Sequence, residues 1–63
     1  MTVLKVLVVD DETVVRRGIV LGVDWAALDC VVVGEAANGE DGLAAVERYG
    51  PNLIITDVRM PRM

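Results

Sequence analysis

The chain of 63 residues contains no histidine, a single cysteine (Cys30) and only two aromatic residues, Trp25 and Tyr49. These absences exclude an intrachain disulfide, a zinc site of cysteine and histidine ligands, and catalysis in which histidine activates a serine or cysteine. No apolar run exceeds four residues, far below the ~20 that cross a bilayer, so we expect no membrane contact. The lack of a disulfide framework and of a secretory signal favours a cytoplasmic location.

Charge excludes a further class of partner. The net charge is -4 and the six basic residues are scattered, so this segment offers no surface for direct contact with nucleic acid. The chain is instead 54% apolar, and valine, leucine, isoleucine and alanine supply nearly all of that fraction. Such a composition is typical of helices packed on a parallel sheet. The length limits the chain to one small domain or a part of one.

Apolar periodicity predicts five elements in alternating order. They are strands β1 (3–9), β2 (30–36) and β3 (52–57) and helices α1 (12–22) and α2 (38–49). Strands that alternate with helices form a parallel sheet with right-handed crossovers. The predicted fold class is therefore α/β, a βαβαβ unit. Strands β1 and β3 can be neighbours if β2 lies on the far side of β1, which gives the predicted local strand order 2-1-3.

Local signals refine the two helices. Glu12 places an acidic residue in the first turn of α1, and Arg16 and Arg17 point away from its predicted apolar face. Asn38 is predicted to cap α2, and Gly50-Pro51 to end it. The apolar face predicted for α1 consists of Val15, Gly18, Ile19 and Gly22.

Acidic residues follow two of the predicted strands. Asp10 and Asp11 come directly after β1, and Asp57 ends β3. Because ligands of open α/β sheets bind at the carboxyl ends of strands where the winding reverses, we expect these three carboxylates to converge. An all-oxygen ligand set favours Mg²⁺ or Mn²⁺ over zinc. With such a metal, attack by one carboxylate on a phosphoryl group becomes feasible.

Each acidic group also has a simpler interpretation. Asp10 and Asp11 could be a solvated acidic pair at a helix N-terminus, and Asp57 could merely cap a strand. The pattern around them favours the metal site and the nucleophile.

Three segments resemble a known family, the receiver domain of two-component response regulators. They are VLVVDDE (6–12), VGEAANG (33–39) and PNLIITDVRMP (51–61), in the same order and with the same spacing. The connector at Asp24-Trp25 and the loop at 57–61 look most like regulators with an AraC-type helix-turn-helix output. The resemblance implies a CheY-like (flavodoxin-like) doubly wound sheet, of which residues 1–63 would form the N-terminal half.

The resemblance also implies roles for individual residues. Asp57 would be the phosphoacceptor for a histidine kinase, and Asp10 and Asp11 would hold Mg²⁺ together with the main-chain carbonyl of Arg59. The chain would then be a phosphorylated switch and not an enzyme, without appreciable autophosphatase activity, and it would regulate transcription through an attached DNA-binding domain. The hydroxyl, lysine and aromatic switch residues of the family have no counterpart in this sequence.

A half receiver would leave the outer edge of β3 unpaired, so we expect a homodimer or larger self-association through that edge. Two other functions stay open. One is a fragment of a Mg²⁺-dependent phosphohydrolase with an aspartyl nucleophile, although its two aspartates would ordinarily alternate, whereas Asp10 and Asp11 are adjacent. The other is an inert, self-associating βαβαβ fragment.

Overall fold

The computed structural model describes residues 2–56, which form one three-stranded sheet with helices packed on it. The elements in chain order are β1 (Leu4–Val9), α1 (Thr13–Gly22), a short 3-10 helix (Ala26–Leu28), β2 (Cys30–Ala36), α2 (Gly39–Tyr49) and β3 (Leu53–Thr56). All strand pairs are parallel, and the order across the sheet is β2-β1-β3. The predicted fold class and strand order are confirmed.

Strand β1 forms the centre of the molecule. Val6, Leu7 and Val8 are each 0% exposed, because β1 has a strand on either side and helices pack on the sheet. An uninterrupted apolar run is the pattern of a strand buried on both faces. The sheet core therefore coincides with the most apolar segment of the sequence.

The pairing of β1 with β2 contains an irregularity. Val6 pairs with Val32, but Leu7 pairs with Gly34, so the register shifts by one and Val33 is the extra residue. Such a bulge reverses the side-chain alternation of one strand relative to its neighbour. As a result Glu35, and not Gly34, lies opposite Val8.

Asn52 ties the start of β3 to β1. Its backbone N–H donates to the carbonyl of Lys5 at 2.8 Å, while its side-chain Oδ1 accepts from the N–H of Lys5 at 2.9 Å. This two-way contact extends the ladder that Val6 and Leu53 begin. Strand β3 itself starts one residue later than predicted, and the predicted last residue, Asp57, lies outside the described residues.

Helix α1 departs from expectation in two ways. It starts at Thr13 with Glu12 in the N-cap position, so its first turn contains no acidic residue and that prediction is wrong. The predicted apolar face is also covered less than expected, since no residue of α1 is buried and Val15 is 44% exposed. Within residues 2–56, α1 contacts β1 of the sheet, and Nε1 of Trp25 in the connector donates to the carbonyl of Val20 at 3.0 Å.

Helix α2 follows its sequence signals closely. The Oδ1 atom of Asn38 accepts from the backbone N–H of Asp41 at 2.8 Å, which confirms the predicted cap. The buried positions of α2 are small, Gly42 and Ala45, and a Cβ on Gly42 would lie 3.4 Å from a methyl group of Val9. Small residues thus bring α2 close to β1.

The turn after α2 requires glycine. Gly50 adopts φ 56°, in the left-handed region, and its N–H donates to the carbonyl of Val46 at 2.9 Å. A residue with a Cβ is strained in this conformation. The predicted end of the helix at Gly50-Pro51 is confirmed.

The two α-helices of the described part of the chain are short, with 10 and 11 residues. Between residues 2 and 56 there is no helix with the length and apolar character that crossing a membrane demands.

We expect Gly50→Ala to lower the free energy of unfolding by about 1 kcal/mol, because alanine is strained at positive φ. Gly18→Ala is the matched control: Gly18 lies inside α1 with open space around its Cα, so alanine should raise stability by about 0.5–1 kcal/mol. Urea unfolding followed by circular dichroism measures both. Equal effects of the two substitutions would contradict the role of the left-handed turn.

Candidate functional site

Asp10 is the first polar residue after the buried strand β1, and it is itself buried, with 5% of its surface exposed. Its backbone N–H donates to the carbonyl of Ala36 at 3.0 Å, which continues the pairing with β2 beyond the end of β1. Its side-chain Oδ1 accepts from the backbone N–H of Glu12 at 2.8 Å. The carboxylate is therefore held in one orientation at the carboxyl edge of the sheet.

The end of β3 is level with the end of β1. Val9 pairs with Thr56, and Thr56 is the residue that precedes Asp57 in the sequence. Asp11 follows Asp10 and is exposed. Asp57 and Arg59, the predicted phosphoacceptor and carbonyl ligand, lie outside the described residues.

The donor set at this edge consists of carboxylate oxygens. Asp10 supplies a buried carboxylate and Asp11 an adjacent one, a combination that suits a hard cation such as Mg²⁺ or Mn²⁺. Among residues 2–56, no three acidic, cysteine or histidine side chains come together as a metal-binding group. The two residues at the end of β1 thus fit part of a metal site, for which the sequence predicts Asp57 as the third carboxylate.

An ion-pair cluster lies beside Asp10, and sequence reasoning missed it. The Nε of Arg16 contacts Oε1 of Glu35 at 3.0 Å, and Arg17 pairs with the other oxygen, Oε2, of the same carboxylate. The Nη1 atom of Arg16 also donates to the main-chain carbonyl of Asp10 at 2.7 Å. Sequence analysis places both arginines off the predicted apolar face of α1 and predicts none of these contacts.

The two arginines are not equivalent. The Arg16 side chain is 14% exposed and binds both the sheet and the loop after β1, whereas that of Arg17 is 47% exposed and reaches Glu35 from the solvent side. The sequence signal for this arrangement is weak. It consists of an acidic residue, Glu35, inside the apolar strand β2, and of two adjacent basic residues in the preceding helix α1. The bulge at Val33 determines which face Glu35 occupies, and no periodicity rule locates a bulge.

Comparison with known proteins adds an independent finding. Residues 6–63 match the family model described as the response regulator receiver domain. An uncharacterised response regulatory protein of Staphylococcus epidermidis is 38% identical over 92% of this chain. The transcriptional regulatory proteins YesN of Bacillus subtilis and HptR of Staphylococcus aureus are each 34% identical, over 94% and 92% of the chain. This chain spans between 16% and 23% of the length of these relatives.

A solved structure agrees with the sequence matches. The REC domain of AraT, a response regulator from Geobacillus stearothermophilus, superposes with a TM-score of 0.85 and 39% identity, over 98% of this chain and 48% of that one. The shared fold includes the parallel sheet with β1 at its centre. The chain belongs to the response regulator receiver domain family, whose members serve two-component signalling systems.

Proposed function

We propose that the chain accepts a phosphoryl group on Asp57 from a histidine kinase, in a reaction that needs Mg²⁺ or Mn²⁺. Asp10, Asp11, Asp57 and the main-chain carbonyl of Arg59 would hold the metal. Family membership over residues 6–63 carries this proposal, and the buried carboxylate of Asp10 supports it at the sheet edge where the end of β3 is level with that of β1. Receiver domains are typically phosphoacceptor switches, which favours this function over that of a phosphohydrolase fragment.

The residues around Asp10 would contribute orientation and charge. The N–H of Glu12 holds Oδ1 of Asp10, so the carboxylate is already in place before a cation arrives. A bound divalent cation would neutralise phosphoryl oxygens during transfer. The strand that leads to Asp10 is fully withdrawn from water at Val6, Leu7 and Val8, so the site lies at the end of a rigid, buried element.

The readout of phosphorylation would lie in another domain. Two of the similar proteins are named transcriptional regulators, and both are several times longer than this chain. We propose that phosphorylation shifts a conformational equilibrium of the receiver, which then controls an attached DNA-binding domain, with an AraC-type helix-turn-helix as the candidate. On this proposal the chain acts in the cytoplasm as a switch and not as an enzyme, and this segment contacts neither nucleic acid nor membrane.

We also propose that this chain self-associates through β3. Within residues 2–56, β3 lies at the edge of the sheet, and Leu53 and Ile54 are 43% and 48% exposed. An apolar groove beside it is lined by Leu43 and Val46 of α2 together with Ile54. Pairing of two β3 edges would bury this surface and complete both ladders.

Mg²⁺ should stabilise the folded chain by about 2.7 kcal/mol when its free concentration is about 100-fold above its dissociation constant. Asp10→Asn should remove most of this effect but keep the acceptor for Glu12, so its metal-free stability should not fall. Thermal unfolding with and without Mg²⁺ measures both quantities. Asp24→Asn is the matched control, because Oδ1 of Asp24 also accepts a backbone N–H, that of Ala27, but lies in the connector to β2. Undiminished Mg²⁺ stabilisation of Asp10→Asn would contradict the metal assignment.

Incubation with acetyl phosphate and Mg²⁺ should add one phosphoryl group to the chain, and Asp57→Asn should abolish the addition because an amide is no nucleophile. Intact-protein mass spectrometry measures it, with Asp24→Asn again as the matched control. Label that persists in Asp57→Asn would refute the phosphoacceptor assignment. If neither wild type nor Asp24→Asn is labelled, the chain is the inert fragment.

Light scattering at micromolar concentration should give the mass of a dimer or larger assembly. Ile54→Lys should raise the dissociation constant about tenfold or more, equivalent to ~1.4 kcal/mol, because lysine on an edge strand opposes pairing. Leu21→Lys, on the exposed side of α1, should leave the mass unchanged. A monomeric wild type with a sharp melting transition would disprove self-association.

A further inference from the structure

Directional hydrogen bonds attach the loop that connects β1 to α1 to the rest of the molecule. The N–H of Asp10 binds the carbonyl of Ala36, and the carbonyl of Glu12 accepts the first helical hydrogen bond, from the N–H of Arg16 at 2.9 Å. Between these two points the carbonyl of Asp10 is bound by Nη1 of Arg16. Arg16 therefore holds the loop at two places, through its backbone and through its side chain.

The side chain of Arg16 is itself held. Glu35 accepts from Nε of Arg16 at 3.0 Å, so the guanidinium group lies between a carboxylate on β2 and a carbonyl on the loop. The planar guanidinium has donors in fixed directions, and an ion pair that uses Nε leaves Nη1 aimed at the second acceptor. The bulge at Val33 makes this possible, because it places Glu35 opposite Val8.

We infer that Arg16 is a positioning residue for the cation site, because it binds the carbonyl of Asp10 and so holds the peptide between Asp10 and Asp11 at the sheet edge. This inference rests on the proposed function, since it concerns the same metal. Groups that orient metal ligands without touching the metal typically contribute about 10–100-fold to metal affinity. Arg17 shares the Glu35 carboxylate and reaches it from the more exposed side.

An electrostatic role and a positioning role of Arg16 predict opposite changes in Mg²⁺ affinity when the side chain is removed. A guanidinium next to a cation site repels the cation, so its removal would tighten Mg²⁺ binding if charge alone mattered. Removal of a positioning contact would weaken binding. The sign of the change in affinity therefore separates the two roles, and it does so without any measurement of phosphorylation.

The test compares Arg16→Met with Arg17→Met in the 63-residue chain, two substitutions that change the net charge equally. Mg²⁺ affinity is measured by calorimetry, and hydrogen exchange of the Glu12 amide is followed by NMR without metal. Arg16→Met should weaken Mg²⁺ binding about tenfold and speed exchange at Glu12 about tenfold, because the loop opens locally. Arg17→Met should keep the affinity within about twofold of wild type or tighten it slightly.

Arg16→Lys provides the second variant if Arg16→Met does not fold. Lysine keeps the charge but lacks the fixed fork, so its Mg²⁺ affinity should fall between those of wild type and Arg16→Met. Wild-type affinity in either Arg16 variant, or tighter binding in Arg16→Met, would overturn the inference while the metal assignment stands. A wild-type chain that binds no Mg²⁺ would overturn the metal assignment and the inference together.

Discussion

The burial of β1 between two parallel neighbours is the constraint on which the rest of the structure depends. Val6, Leu7 and Val8 are completely withdrawn from water, and each such side chain contributes roughly 1.5–3 kcal/mol in apolar burial. Helix α2 approaches this strand closely at Gly42, where a Cβ would lie 3.4 Å from a methyl group of Val9. A strand that is central and level with its neighbours also determines where the next residue, Asp10, emerges.

At the carboxyl edge of the sheet, the apolar strand β1 is followed directly by the buried carboxylate of Asp10. A carboxylate as buried as that of Asp10 costs stability unless it is hydrogen-bonded, and the N–H of Glu12 supplies one such bond. The adjacent ion-pair cluster of Arg16, Arg17 and Glu35 places two positive charges and one negative charge close to the acidic loop. Polar groups that conflict with an apolar core are typical of sites that bind ligands.

Much of this arrangement could be predicted from the sequence because its signals are local. An uninterrupted valine-rich run predicts β1, Asn38 predicts the start of α2, and Gly50-Pro51 predicts its end; the structure confirms all three. The alternation of strands and helices predicts a parallel sheet with right-handed crossovers, and with β2 on the far side of β1 the order is 2-1-3, as the structure shows. The placement of Asp10 at the carboxyl edge follows from that topology.

What the sequence alone determined is therefore the element order, the central strand and the acidic residues that follow it. Only the tertiary structure decided which face Glu35 occupies, because the bulge at Val33 depends on how β2 fits against β1 and leaves no periodic trace in the chain. The same holds for Arg16: its helical position is local, but its contacts with Glu35 and Asp10 join residues on three elements. Hydrogen bonds between distant segments form only after packing has brought those segments together.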